Sequence, residues 1–142
     1  MAEFPDIAEL EAAYEASGAD ARRLVASLDA RAGTWQPRPG SWSVAQCLDH
    51  LATGKRVYLA ALRPPAERAL AQGRLRRGPA KPGLIGGWFV RSLEPPATRL
   101  FRMSAPGKIQ PRPSPPLADA AADYFEAHAA VREFLREFSG IT

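Results

Sequence analysis

Apolar positions recur along this chain at helical rather than strand spacing, and they outline three long amphipathic segments. In the first, Ile7, Leu10, Tyr14, Ala21, Leu24, Val25 and Leu28 follow steps of three, four and seven, or a shift of one turn. This predicts a helix from Asp6 to about Ala30, with Pro5 suited to its first turn. Ser17-Gly18 lowers helix propensity in the middle and predicts a bend or break, and Ala32-Gly33 closes the helix. Trp35-Gln36-Pro37-Arg38-Pro39-Gly40 cannot continue it. Its prolines fix φ and push the residues before them into extended backbone.

The second segment begins at Ser43, an N-cap hydroxyl, with Gln46 placed to reach back and complete a capping box. Val44, Cys47, Leu48, Leu51, Tyr58 and Leu62 then define one apolar stripe, so a helix is predicted from Ser43 to at least Leu62. Pro64-Pro65 should stop or bend it, since both lack the amide donor; Ala66 to Leu75 then resumes as helix. Gly73, Gly78, Pro79, Pro82 and Gly83 predict a loop. Leu84 to Leu93 reads as a short helix packing Trp88 and Phe89 inward, with a strand as the alternative. Glu94 to Pro116 is rich in proline and reads as an extended crossover lying on the protein through Leu100, Phe101, Met103 and Ile109.

In the third segment Leu117, Ala121, Tyr124, His128, Val131, Leu135 and Phe138 alternate steps of four and three. That heptad seam predicts a helix from about Ser114 to Ser139, nearly parallel or antiparallel to its neighbours. Ser114 is the expected cap, Pro115 the first helical position and Gly140 the C′ residue. The fold class is therefore all-α, an up-and-down bundle whose long crossover allows two helices to run parallel.

Composition narrows the class. The 142 residues are 46% hydrophobic and 24% charged, and they read as one domain, 1–142, with a real core. No run approaches the ~20 apolar residues of a membrane span. The acidic start MAEFPDIAELEAAY is not a secretory signal, so the expectation is a cytoplasmic protein without membrane partners. A single cysteine excludes an internal disulfide. The net charge of +4 has one cluster, Arg74-Leu75-Arg76-Arg77, which reads as a solvated loop. No zinc-finger, RRM or helix-turn-helix pattern accompanies it, so nucleic acid is not an expected partner.

Candidate chemistry centres on His50. At ~100° per residue it falls on the flank of the second helix's stripe, on a row with Gly54 and Ala61, with room beside it. Asp49 points elsewhere and is not automatically a co-ligand. Cys47 reads as a small buried hydrophobe, with a Cys47-to-His50 nucleophile pair as the sharper alternative. Glu126 and Glu133 lie off the third seam and read as solvated. No Ser-His-Asp set, phosphate loop or dinucleotide fingerprint is present.

The string W-x-P-x-P-G-S-W-S-V-A-x-C-L-D-H-L, ending at Leu51, resembles the second-helix signature of the DinB-like (DinB/YfiT) superfamily. Ser92-Leu93-Glu94-Pro95-Pro96 and Ala105-Pro106-Gly107-Lys108 extend the likeness over most of the chain. The resemblance implies a four-helix bundle in which three histidines hold a divalent metal, the first at His50. The other two normally form an H-x-x-x-H pair on a final helix. This sequence has only His50 and His128 and no such pair. The expectation is three long helices with the fourth missing, a C-terminally truncated domain, and no three-histidine site within one chain. His128 can stand in as a ligand if its seam faces His50. The seam position favours a core histidine instead, neutral and bonded to Tyr124, Tyr58 or a backbone carbonyl.

Two readings of function follow. One is a divalent-metal-dependent enzyme, thiol-dependent-transferase-like by the resemblance, with unknown small-molecule substrate and an imidazole site suited to Zn, Ni or Fe. The other is a non-catalytic interaction module, a homodimer formed through the open bundle seam.

Overall fold

The computed structural model describes residues 7–74 and 107–140. The Leu84–Leu93 segment, the first part of the crossover, Pro5 and most of the Arg74–Arg77 cluster lie outside the described residues. Those described form four helices and a 3-10 turn, with no strand among them: α1 (Ile7–Ala26), α2 (Ala30–Thr34), α3 (Val44–Ala71), the turn Gly107–Ile109, and α4 (Leu117–Glu137). The expected all-α bundle stands.

α1 runs unbroken through Ser17-Gly18, so the helix does not break there. Gly18 is buried there, and its missing side chain leaves the space that His128 of α4 occupies. The helix ends at Ala26, earlier than the periodicity predicts, because Asp29 starts a new one. Its Oδ1 accepts the Ala32 N–H at 2.7 Å and caps α2. Ala32-Gly33 is thus the middle of a short helix, not the end of a long one. Gly33 is buried, and a Cβ there would overlap Leu117 at the start of α4.

The Ser43/Gln46 capping box forms as predicted and starts α3. Pro64-Pro65 does not stop it. The helix continues to Ala71, because the two missing donors orphan only the carbonyls of Ala60 and Ala61, residues on the exposed side that meet water. α3 ends in a Schellman pair: Gly73, at φ +64°, donates to Leu70 O at 2.9 Å, and Arg74 N donates to Ala69 O at 3.0 Å.

The buried face of α3 is the predicted stripe only in part: Leu48 is in the core and Val44 packs against it, but the other members turn outward. Ala45, Leu48, Asp49 and Ala52 turn inward, whereas Cys47 is exposed and Leu51, Tyr58 and Leu62 are 46%, 62% and 50% exposed. Small residues win the inner face because they let two helices approach closely. Ala45, Leu48 and Ala52 meet Leu117, Ala120, Ala121, Tyr124 and Ala127 of α4 in one cluster, with Ala21, Val25 and Leu28 at its margin. The α3–α4 pair is the main packing unit, and α1 lies on α4.

α4 begins at Leu117, after the predicted start. Ser114 makes no cap; Pro116 is the N-cap, at φ −58° and ψ 143°, without a side-chain bond. Ser114 and Pro115 each precede a proline, which holds them extended. Phe138 is the C-cap, and Gly140 lacks the positive φ of a C′ glycine. The heptad seam holds: Leu117, Ala121, Tyr124, His128 and Phe138 are buried, and Val131 and Leu135 partly so.

Candidate functional site

Three side chains on one face of α3, Gln46, Asp49 and His50, grip the end of the crossover between Ile109 and Pro113. Their spacing of three and four residues puts them on neighbouring turns. Each uses a different chemistry. Gln46 is buried, and its Oε1 accepts from the Ser43 N–H (3.0 Å) and from Gln36 Nε2 (2.9 Å), while its own Nε2 donates to Pro113 O at 2.9 Å. The capping residue is therefore also an anchor for a segment far away in sequence.

Asp49 is 5% exposed and takes Arg112 with both oxygens. Oδ2 accepts the Arg112 backbone N–H at 2.8 Å, and Oδ1 accepts Nε at 2.6 Å and lies in contact with Nη2. A buried carboxylate costs several kcal/mol unless it is paired and hydrogen-bonded, and this one is both. Arg112 Nη2 also reaches Asp123 Oδ2 on α4 at 2.7 Å, and Arg56 of α3 closes on Asp123 (3.1 Å) and Glu126 (3.0 Å). The hydrogen bond from Arg56, then the charges of Arg56 and Arg112, hold the Asp123 carboxyl below the usual range. The bond to Asp49 holds the Arg112 guanidinium protonated. Glu126 is highly exposed as expected, yet it is an ion-pair partner.

His50 is half-buried and completes the grip. Its Nδ1 donates to the carbonyl of Ile109 at 2.6 Å, and its ring meets Trp42 at 4.9 Å and 45°. Asp49 has both oxygens on Arg112 and is not a free neighbour for His50. Cys47 is exposed rather than buried, and desolvation pushes its thiol up, the direction opposite to that of a thiolate nucleophile.

His128 sits elsewhere. It is 2% exposed, stacked on Tyr14 with centroids 4.0 Å apart at 8°, and tilted against Tyr124 at 5.7 Å. The expected hydrogen bond to Tyr124, Tyr58 or a carbonyl is not made. Neither ring nitrogen has a partner among the described residues, and Tyr58 lies exposed. Packing rather than bonding holds this histidine: burial first, then Lys55, Arg22 and Arg132, push it towards the neutral form against Glu15. Lys55 stands 3.6 Å over the Tyr124 ring, and burial pulls its amine down to about 8. Burial, then Tyr124, raises Tyr14 to about 12. His50 and His128 share no described contact.

Among the described residues no group of three His, Cys, Asp or Glu stands together. A cavity of about 390 Å³ lies on the other side of the Gln46 anchor, walled by Trp35, Gln36, Ser43 and Pro113 among others, and His50 is not among its walls. Among the described residues no helix is long and apolar enough to cross a membrane.

Sequence reasoning missed the Asp49–Arg112 pair, though a signal existed. Asp49 falls next to Leu48 and one turn from Ala45 and Ala52, and an acid on an inward face requires a partner. What identified no partner was Arg112, which sits between Pro111 and Pro113 with no periodicity around it.

Long helices that pack through alanine and grip a proline-rich crossover define a helical bundle with a histidine at the grip. The match of a family model, described as the DinB superfamily, over residues 13–140 makes the class specific. The chain belongs to the DinB superfamily. No curated protein and no solved structure matches it.

Proposed function

We propose that this chain works with a divalent metal, zinc, nickel or iron, and that His50 supplies one ligand. The observation that carries the reading is the 2.6 Å bond from His50 Nδ1 to the Ile109 carbonyl. A carbonyl only accepts, so Nδ1 bears the proton, and of the two ring nitrogens Nε2 is the one left to offer a lone pair to a metal. Metal-ligating histidines are commonly held in this way, by a carbonyl on the far nitrogen, which fixes tautomer and ring orientation. The residues present thus fit one imidazole donor of such a site. No group of three ligands forms around His50 among the described residues, and His128, the other histidine, is buried against Tyr14.

When bound, the ion lowers the pKa of a coordinated water or thiol, which supports a metal-assisted enzyme acting on a small molecule, transferase-like by the family resemblance. The chain's own residues orient. His50 keeps its proton on Nδ1, Trp42 packs against the ring, and Gln46 and Asp49 hold the crossover that carries the accepting carbonyl. The test is calorimetric titration of Zn²⁺ and Ni²⁺ into the chelator-stripped full chain, wild type and His50→Ala. Stoichiometric binding lost in the variant is expected. Binding indifferent to the substitution, or none, rejects the reading.

A second reading rests on the outward row of α3. Cys47, Leu51, Tyr58 and Leu62 recur at steps of four and seven and are exposed, a seam suited to a homodimer that closes the bundle. Sedimentation equilibrium should then show a dimer that Leu51→Asp with Leu62→Asp dissociates. A wild-type monomer at high concentration removes this reading.

A further inference from the structure

We infer that Arg112 is a positioning residue for His50: by gripping Asp49 and Asp123 it fixes where the Ile109 carbonyl stands, and so which imidazole nitrogen carries the proton. The argument begins with neighbours. Asp49 and His50 are consecutive in α3, so their side chains leave the helix in fixed directions about 100° apart. They meet the same crossover at two points three residues apart, Arg112 and Ile109. Holding one point of that segment constrains the other.

The segment transmits the constraint because it is stiff. Pro111 and Pro113 lock φ on either side of Arg112, and Gly107–Ile109 is wound into a 3-10 turn. Between 111 and 113 the prolines have no N–H, so the Arg112 N–H is the one backbone donor, and it goes to Asp49. The guanidinium adds Nε on the same carboxylate and Nη2 on Asp123 of α4. Backbone and side chain of one residue thus fix both place and orientation. Gln46 supports the far end at Pro113 O.

The consequence for metal affinity rests on the reading proposed above, whereas the tautomer does not. The experiment uses the full chain labelled with ¹⁵N-histidine, observed without metal at about pH 9, well above the ordinary histidine range. His50→Ala assigns the two rings. Wild-type His50 should show a single form protonated at Nδ1. In Arg112→Ala its nitrogen shifts should move towards those of a freely exchanging imidazole while His128 stays put, and Zn²⁺ affinity should fall roughly 10- to 100-fold. Both variants keep the backbone N–H to Asp49; Arg112→Lys also keeps the charge but loses the planar fork, and should fall between the wild type and Arg112→Ala, and it carries the test if the alanine variant does not fold. Arg56→Ala removes the other partner of Asp123 without touching the crossover and should leave His50 unchanged. Wild-type nitrogen shifts for His50 in both Arg112 variants overturn the inference. Shifts that move in a protein that binds no ion leave the positioning role standing and remove the metal reading.

Discussion

A Cβ added at Gly18 on α1 would stand 2.6 Å from Nε2 of His128 on α4. Tyr14, one turn earlier on α1, is stacked on the face of the same ring at 4.0 Å, and His128 is 2% exposed. Two effects of Gly18→Ala therefore oppose each other. Alanine is favoured over glycine by about 1 kcal/mol inside a helix, and overpacking a filled interface costs about 1–3 kcal/mol. Overpacking should win, with net destabilisation of about 1 kcal/mol in urea unfolding. In a His128→Ala background the obstacle is gone, and the same substitution should become stabilising. A loss of stability in both backgrounds would place the clash elsewhere.

The buried imidazole also predicts a pH dependence. Burial, joined by the charges of Lys55, Arg22 and Arg132, lowers the pKa of His128 in the folded protein, with only Glu15 acting the other way. The unfolded chain, whose histidines titrate near pH 6.5, then binds the proton more readily than the folded one. Stability should be full above about pH 6.5 and fall as the medium is acidified through it, by up to about 1.4 kcal/mol per pH unit for one proton. Denaturant midpoints measured between about pH 7.5 and about pH 5.5 should show that slope. His128→Leu should flatten it even if the variant is less stable throughout; an unchanged slope would assign the proton to another group.

What the sequence made legible was what depends on neighbours along the chain. The Ser43/Gln46 box and the seam of α4 are local patterns, and both formed. The rotation of α3 was not legible, because periodicity ranks large apolar residues above alanine. Close approach to α4 rewards the reverse, and Leu51 and Tyr58 turned outward. Ser17-Gly18 illustrates the same limit. Its low propensity was visible, but its reason is a ring more than a hundred residues away. At the site His50 could be singled out, whereas Asp49, Arg112 and the Ile109 carbonyl join only through the fold.

The Asp49–Arg112 pair should be strongly asymmetric to truncation. Arg112 is half-exposed, so by exposure alone it is a surface residue worth little. Its removal, however, leaves a 5% exposed carboxylate without its counter-charge, keeping only the backbone N–H of residue 112. Arg112→Ala should cost about 2–3 kcal/mol, nearer the penalty of an orphaned buried charge than the ~0–1 kcal/mol of a surface ion pair. Adding Asp49→Asn should then restore part of the loss, since it removes the stranded charge. A double-mutant cycle by urea unfolding measures the coupling. Additive losses would mean that the two side chains do not depend on each other.

Pro64-Pro65 should be a local weakness in α3. Just before the pair Arg63 docks α3 on α4, reaching Glu137 at 3.0 Å and lying over the rings of Phe134 and Phe138 at 5.7 and 5.6 Å. Past it, Ala69 is the one buried residue of α3. A proline inside a helix costs about 3 kcal/mol relative to alanine, offset by about 0.4–1 kcal/mol through its stiffening of the unfolded chain. Because residues 66–71 bury so little, they can open without the rest, so the gain from Pro64→Ala with Pro65→Ala should appear there first. Amide hydrogen exchange should slow by about 10-fold or more over those residues, equivalent to ~1.4 kcal/mol or more, with smaller changes near Leu48. Equal protection in the variant and the wild type would mean that the orphaned carbonyls of Ala60 and Ala61 are satisfied by water at no cost, and that the end of α3 is as stable as its core.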